Sequence, residues 1–222
     1  MHKFTSNFSE INVYKKQSKN SEIVSQIIYG QNFEVLKKTK KWLKIRIQDD
    51  GYKGFIFNKK YSKETKPTHK TFVLNANIYK EANRKKKIGQ LTFGSRIRAE
   101  LKKNGFIKFD KKWIESKNLK PNNFKEKNIF QNLNIFKGVK YKWGGKSCKG
   151  IDCSGLVQIF FNYNNKFCPR DAKDQIRYFK RKNKFEKLQK NDLLFWKGHV
   201  AIILSKKKLI HAYGPKKKTV IM

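Results

Sequence analysis

Three side chains in the second half of the chain have the types and order of a nucleophilic site: Cys153, His199 and His211. Cys153 stands in Gly150-Ile-Asp-Cys-Ser-Gly155. With Leu156, Val157 and Phe160 it falls at i, i+3, i+4 and i+7, the spacing of one apolar helix face. Asp152 is a natural N-cap, which puts the cysteine in the first turn. There the positive end of the helix dipole is expected to stabilise thiolate and lower the thiol pKa. The chemistry this order suggests is acyl transfer. Cys153 is the nucleophile, His199 the general base and acid, and His211 the group that orients His199. Backbone N–H groups at the helix start, including that of Cys153, would stabilise an oxyanion.

A cysteine on an apolar helix face is also an ordinary small buried side chain, so the elements that carry the histidines decide the matter. Asp192–Trp196 reads as a strand and Lys197-Gly198 as a turn. His199–Leu204 and Leu209–Tyr213 read as a hairpin around Ser205–Lys208. Pairing Ser205 with Leu209 sets Ile203 opposite His211 and puts both histidines on one face, whereas a slip of one residue would separate them. Upstream of Cys153, Gly144, Gly145 and Gly150 mark an ordered loop. Ile129–Gly138 and Asp174–Lys182 read as helices. A metal site is the rival use of such residues, but Cys148 and Cys153 are five apart and Cys168 is distant, which does not fit zinc. No phosphate loop is present, and neither metal nor cofactor is expected.

The first half is a different texture. Apolar runs at Ile11–Tyr14, Ile23–Ile28, Phe33–Leu36, Trp42–Ile47 and Gly54–Phe57, broken by turn residues, suggest a small β-barrel or sandwich over residues 1–65. Lys63–Lys70, with Pro67, reads as a linker. The pattern then returns over residues 71–120. Asn12-Val-Tyr-Lys15 recurs as Asn77-Ile-Tyr-Lys80, Tyr29-Gly30 as Phe93-Gly94 and Leu36-Lys-Lys38 as Leu101-Lys-Lys103, at a spacing of 64 or 65 residues. A constant spacing argues for a duplicated domain.

The net charge is +38, from 54 Lys and Arg against 16 Asp and Glu. Lysines supply nearly all of it and are spread along the chain, which argues for compositional drift rather than a dedicated nucleic-acid surface. Incidental polyanion binding at low salt is expected. No apolar leader and no membrane-length apolar run are seen, and three cysteines form no disulfide framework. A monomer in the cytoplasm is the expectation, with no specific nucleic acid or membrane partner.

Tyr141-x-Trp-Gly-Gly145, Gly150-Ile-Asp-Cys-Ser-Gly155, Pro169-Arg-Asp-Ala-x-x-Gln175, Asp192-Leu-Leu-Phe-Trp196, Gly198-His-Val-Ala-Ile202 and Ile210-His-Ala212 together resemble the NlpC-type papain-like cysteine peptidases over about residues 129–222. With two SH3-like barrels ahead, the chain resembles the γ-D-glutamyl-L-diamino-acid endopeptidases of the dipeptidyl-peptidase VI type. The resemblance implies an α+β architecture, two small SH3-like barrels followed by a papain-like domain, and a Cys-His-His triad on Cys153, His199 and His211. It implies hydrolysis of the γ-D-glutamyl–diamino-acid bond of murein peptides that carry a free N-terminal L-alanine. Asp152 would hold that amine, and Glu22 and Tyr52 of the first barrel would complete the pocket. Tyr141 and Ser154 would line the cleft, and Arg170 would meet a substrate carboxylate. Two other functions use the same residues: a wall-binding or nucleic-acid-binding module with an inactive cysteine domain, and acyl transfer to lipid.

Overall fold

The computed structural model of the chain describes residues 2–179 and 187–222. Short apolar runs bounded by turn residues become strands. They are β1 (His2–Thr5), β2 (Glu10–Tyr14), β3 (Ile23–Ile28), β4 (Asn32–Lys38), β5 (Trp42–Ile47), β6 (Lys53–Phe57) and β7 (Ser62–Lys63). They pair in the order β3-β2-β6-β5-β4-β1-β7 over a core that includes Val13, Ile27, Phe33, Ile45 and Ile56. A second unit follows: β8 (His69–Thr71), β9 (Asn75–Tyr79), β10 (Lys87–Thr92), β11 (Arg96–Ile97), β12 (Leu101–Lys103), β13 (Phe106–Phe109), β14 (Lys112–Glu115) and β15 (Leu119–Pro121). Its order β10-β9-β14-β13-β12 repeats β3-β2-β6-β5-β4 strand for strand. Both ends of the segment read as a linker are strand: β7 closes on β1 and β8 pairs with β11 and β15.

The third unit holds β16 (Lys146–Ser147), β17 (Gly150–Ile151), helix α1 (Cys153–Tyr163), helix α2 (Ala172–Phe179), and the sheet β18 (Leu193–Trp196), β19 (His199–Ser205), β20 (Lys208–Tyr213) and β21 (Lys218–Ile221) in that order. Strands and helices together make the chain α+β. α1 packs against β19 and β20, and nearly all of its residues are buried. The helix read at Ile129–Gly138 is only a 3-10 turn, Leu133–Phe136, entered through Asn132 in the left-handed region. Of the helix read at Asp174–Lys182, α2 covers the residues to Phe179, and 180–182 lie outside the described residues.

The hairpin register differs from expectation by two residues. Ile203 pairs with Leu209 and Ile202 with Ile210, and an irregularity between Ile203 and Ser205 tightens the turn to Lys206-Lys207. A displacement of two keeps side-chain parity, because facing alternates with period two. His199 and His211 therefore still share one face. The last strand, β21, pairs along β20 from Tyr213 to Ile210, with Val220 opposite His211, so β20 is an internal strand. Among the described residues no helix is long and apolar enough to cross a membrane.

Candidate active site

The helix start forms as its sequence dictates. Asp152 is the N-cap, extended at φ −100° and ψ 176°, and its Oδ1 accepts the Gly155 N–H at 2.7 Å. This seats Cys153 in the first turn, 5% exposed. The N–H groups of Ser154 and Val200 face its sulfur, so the strand that begins with His199 lies against the helix start. Nevertheless the thiol pKa is raised, not lowered: burial and the Asp152 charge outweigh those N–H groups and the Arg170 charge. The expected lowering of the thiol pKa is therefore overturned, because desolvation dominates in this site.

His199 Nε2 and His211 Nδ1 lie 2.8 Å apart. Burial, with His211 alongside, pushes His199 down to about 4, and burial lowers His211. Trp196 packs on His199 at 4.6 Å between ring centres, and Tyr213 stacks on His211 at 4.7 Å. Both imidazoles are thus neutral at pH 7, the protonation state of a base.

Beside Cys153 opens a cavity of about 400 Å³. One wall comes from the third unit: Trp143, Asp152, Ser154, Arg170, Asp171, Ala172 and Lys173. The other comes from the first unit: Lys15, Glu22, Val24, Tyr52 and Lys53. Glu22 and Tyr52, placed in the sequence far from the cysteine, are therefore brought to it. Glu22 accepts from Trp143 Nε1 at 2.8 Å and from Lys15 Nζ at 3.0 Å, and these two hydrogen bonds lower its pKa. The Tyr52 hydroxyl donates to both oxygens of Asp171 at 3.3 and 3.4 Å. Tyr141 is half-buried, with burial and the neighbouring Cys153 and Asp152 pushing it up to about 12.

Asp152 and Arg170 differ from their expected roles. Asp152 accepts from the N–H groups of Gly144 and Gly155, from the Ser154 hydroxyl and from two nitrogens of Arg170, the closer at 2.6 Å. A carboxylate offers about four lone-pair sites, so none remains for a substrate amine. Arg170 is 2% exposed and spends its fork on Asp152, Ser154, Ser25 and the Gly145 carbonyl. A guanidinium has five N–H donors, so a substrate carboxylate finds none free. The pair is a buried brace beside Cys153. Asp171, by contrast, carries only the two long contacts from Tyr52 among the described residues, and burial raises its pKa against the opposing charge of Arg170. Sequence reading passed over it for its neighbour Arg170 in the same Pro-Arg-Asp-Ala segment.

Comparison with known proteins agrees with this architecture. Residues 138–221 match the NlpC/P60 family and residues 9–62 a bacterial SH3 domain. Dipeptidyl-peptidase 6 of Lysinibacillus sphaericus is 38% identical over 85 residues, 38% of this chain and 31% of that protein. The γ-D-glutamyl-L-lysine dipeptidyl-peptidase of Bacillus subtilis is 28% identical over 86% of this chain and 72% of its own length. The chain thus spans about a third of the first relative and most of the second. The crystal structure of an NlpC/P60 family protein from Bacillus cereus superposes with a TM-score of 0.85 at 18% identity, covering 99% of this chain and 93% of that one, a likeness of fold.

Proposed function

We propose that the chain, with an NlpC/P60 domain behind a bacterial SH3 domain, is a cysteine peptidase hydrolase that cleaves the γ-D-glutamyl–diamino-acid bond of murein peptides that begin with a free L-alanine. The observation that carries this reading is the cavity: residues of the first unit wall off one side of the space in front of Cys153. A cleft closed on that side admits a short peptide end rather than a continuous chain. The relatives named for γ-D-glutamyl-L-lysine cleavage support the choice of bond.

In this reading Cys153 Sγ attacks the γ-carbonyl carbon as its proton passes to His199. Nε2 of His199 is engaged with His211, so Nδ1 takes the proton. His199 then returns the proton to the departing amine of the diamino acid, leaving a thioester on Cys153. Water, deprotonated by the same imidazole, releases L-Ala-γ-D-Glu and restores the thiol. Because both partners rest neutral, the thiolate forms as attack proceeds and is not stored as an ion pair. The substrate amine is held by Asp171, the cavity carboxylate with lone pairs to spare, with Glu22 and Tyr52 beside it. Tyr141 and Ser154 border the nucleophile, and the two N-terminal units act as SH3-like barrels that supply the closing wall.

Incubation with L-Ala-γ-D-Glu-diaminopimelate, followed by mass spectrometry, tests the proposal. Wild type is expected to release the dipeptide, Cys153→Ala to release none, and N-acetylation of the alanine to slow release at least about tenfold, the loss of one charge-assisted contact. Release that survives Cys153→Ala rejects the peptidase mechanism. An N-acetylated peptide cut as fast as the free amine rejects the amine pocket.

A further inference from the structure

The buried ring of His211 has two nitrogens, and Nδ1 is engaged with His199. Its other nitrogen, Nε2, lies 3.3 Å from the Met222 sulfur. His211 is 4% exposed, so water does not freely satisfy that nitrogen. The methionine is held in place by its backbone, since Met222 N–H donates to the Leu209 carbonyl at 2.9 Å and Leu209 N–H to the Met222 carbonyl at 2.7 Å. A thioether accepts hydrogen bonds weakly and donates none. Contact with it therefore favours the tautomer of His211 that carries the hydrogen on Nε2.

We propose that Met222 is a positioning residue, whose sulfur accepts the Nε2–H of His211 and thereby sets the tautomers of both histidines. With its hydrogen on Nε2, His211 presents Nδ1 as an acceptor. His199 must then donate from its own Nε2, which leaves Nδ1 of His199 bare to take the thiol proton. The opposite arrangement puts a hydrogen on Nδ1 of His199 and removes the base. A thioether in place of a carboxylate also leaves the pair uncharged, in keeping with the low basicity of His199. The proposal rests on the reading of Cys153, His199 and His211 as the reacting group, but its first readout does not depend on turnover.

Nitrogen-15 NMR of the imidazoles in the full chain at neutral pH reads the tautomers directly. Wild type is expected to show His211 neutral with hydrogen on Nε2. Met222→Leu, close in size but without an acceptor, is expected to populate the other tautomer and to lower kcat about fivefold, the worth of one modest hydrogen bond, with KM unchanged. Met222→Gln offers an amide oxygen and is expected to restore both the tautomer and kcat. A His211 tautomer that is the same in wild type and Met222→Leu overturns the proposal. So does a loss of kcat that is equal in the Leu and Gln variants, the mark of a packing effect. Wild-type protein that shows the expected tautomer yet cleaves no peptide would sink the proposed function and leave the positioning role standing.

Discussion

At the scale of single residues, the site is a case of desolvation overruling position. A cysteine in the first turn of a helix meets partial positive charge worth a fraction of a pKa unit up to one or so, while burial shifts a titratable group by up to about 3–5 units. Here burial and Asp152 win, and the Cys153 thiol rests protonated at neutral pH. Alkylation with iodoacetamide should follow: its rate at Cys153 should keep rising through pH 8 and level off only above the pKa of an ordinary cysteine thiol. A plateau near pH 6 would show a preformed thiolate–imidazolium pair instead. His199 carries a linked stability effect. Its pKa falls from 6.5 unfolded to about 4 folded, so between those values the unfolded chain binds more protons. Stability therefore rises with pH across that window and is lost as the pH drops through it.

At the scale of elements, the cavity depends on how closely the loop before α1 approaches β3. Gly144 has φ +71°, and a Cβ there would stand 2.4 Å from the Ile23 carbonyl oxygen. That carbonyl belongs to the same short stretch as Glu22, so the loop carrying Trp143 and the strand edge carrying Glu22 are fitted to each other. Gly144→Ala should cost roughly 1–3 kcal/mol from the left-handed backbone alone, with more for the clash. Urea unfolding measures the loss, and kcat/KM should fall with it as the wall shifts. An unchanged midpoint and unchanged activity would mean that the loop and the first unit are not in close contact.

At the scale of the whole molecule, the three units are tied at many points. Phe93 of the second unit lies among Phe136, Phe160 and Tyr163 of the third, with ring centres 5.7, 4.9 and 4.6 Å away. The first unit reaches the third through Asp50 to Gln158, Gln26 to Lys146 and Ser25 to Arg170, and the second through Asp49 to Arg96 at 2.8 Å. Chains whose domains share a core unfold together. Calorimetry should therefore show one transition with equal calorimetric and van't Hoff enthalpies. Two resolved transitions would show that the N-terminal units melt independently of the third.

What the sequence determined by itself was local or periodic. The N-cap at Asp152 and the apolar face of α1 are set within nine residues, the duplication by a constant spacing, and the shared face of His199 and His211 by an alternation that survives a two-residue displacement. What only the tertiary structure decided depends on counting neighbours from distant segments. The thiol pKa follows from burial, which no short window reports. Arg170 and Asp152 are consumed by one another because the fold buries the two side by side, and the less buried Asp171 is left with capacity. Met222 meets His211 only once β21 has paired with β20, and the hairpin register rests on a backbone irregularity that side-chain pattern does not encode. Patterns along a chain specify which faces must be buried, whereas the strength of a charge or a hydrogen bond depends on everything packed around it.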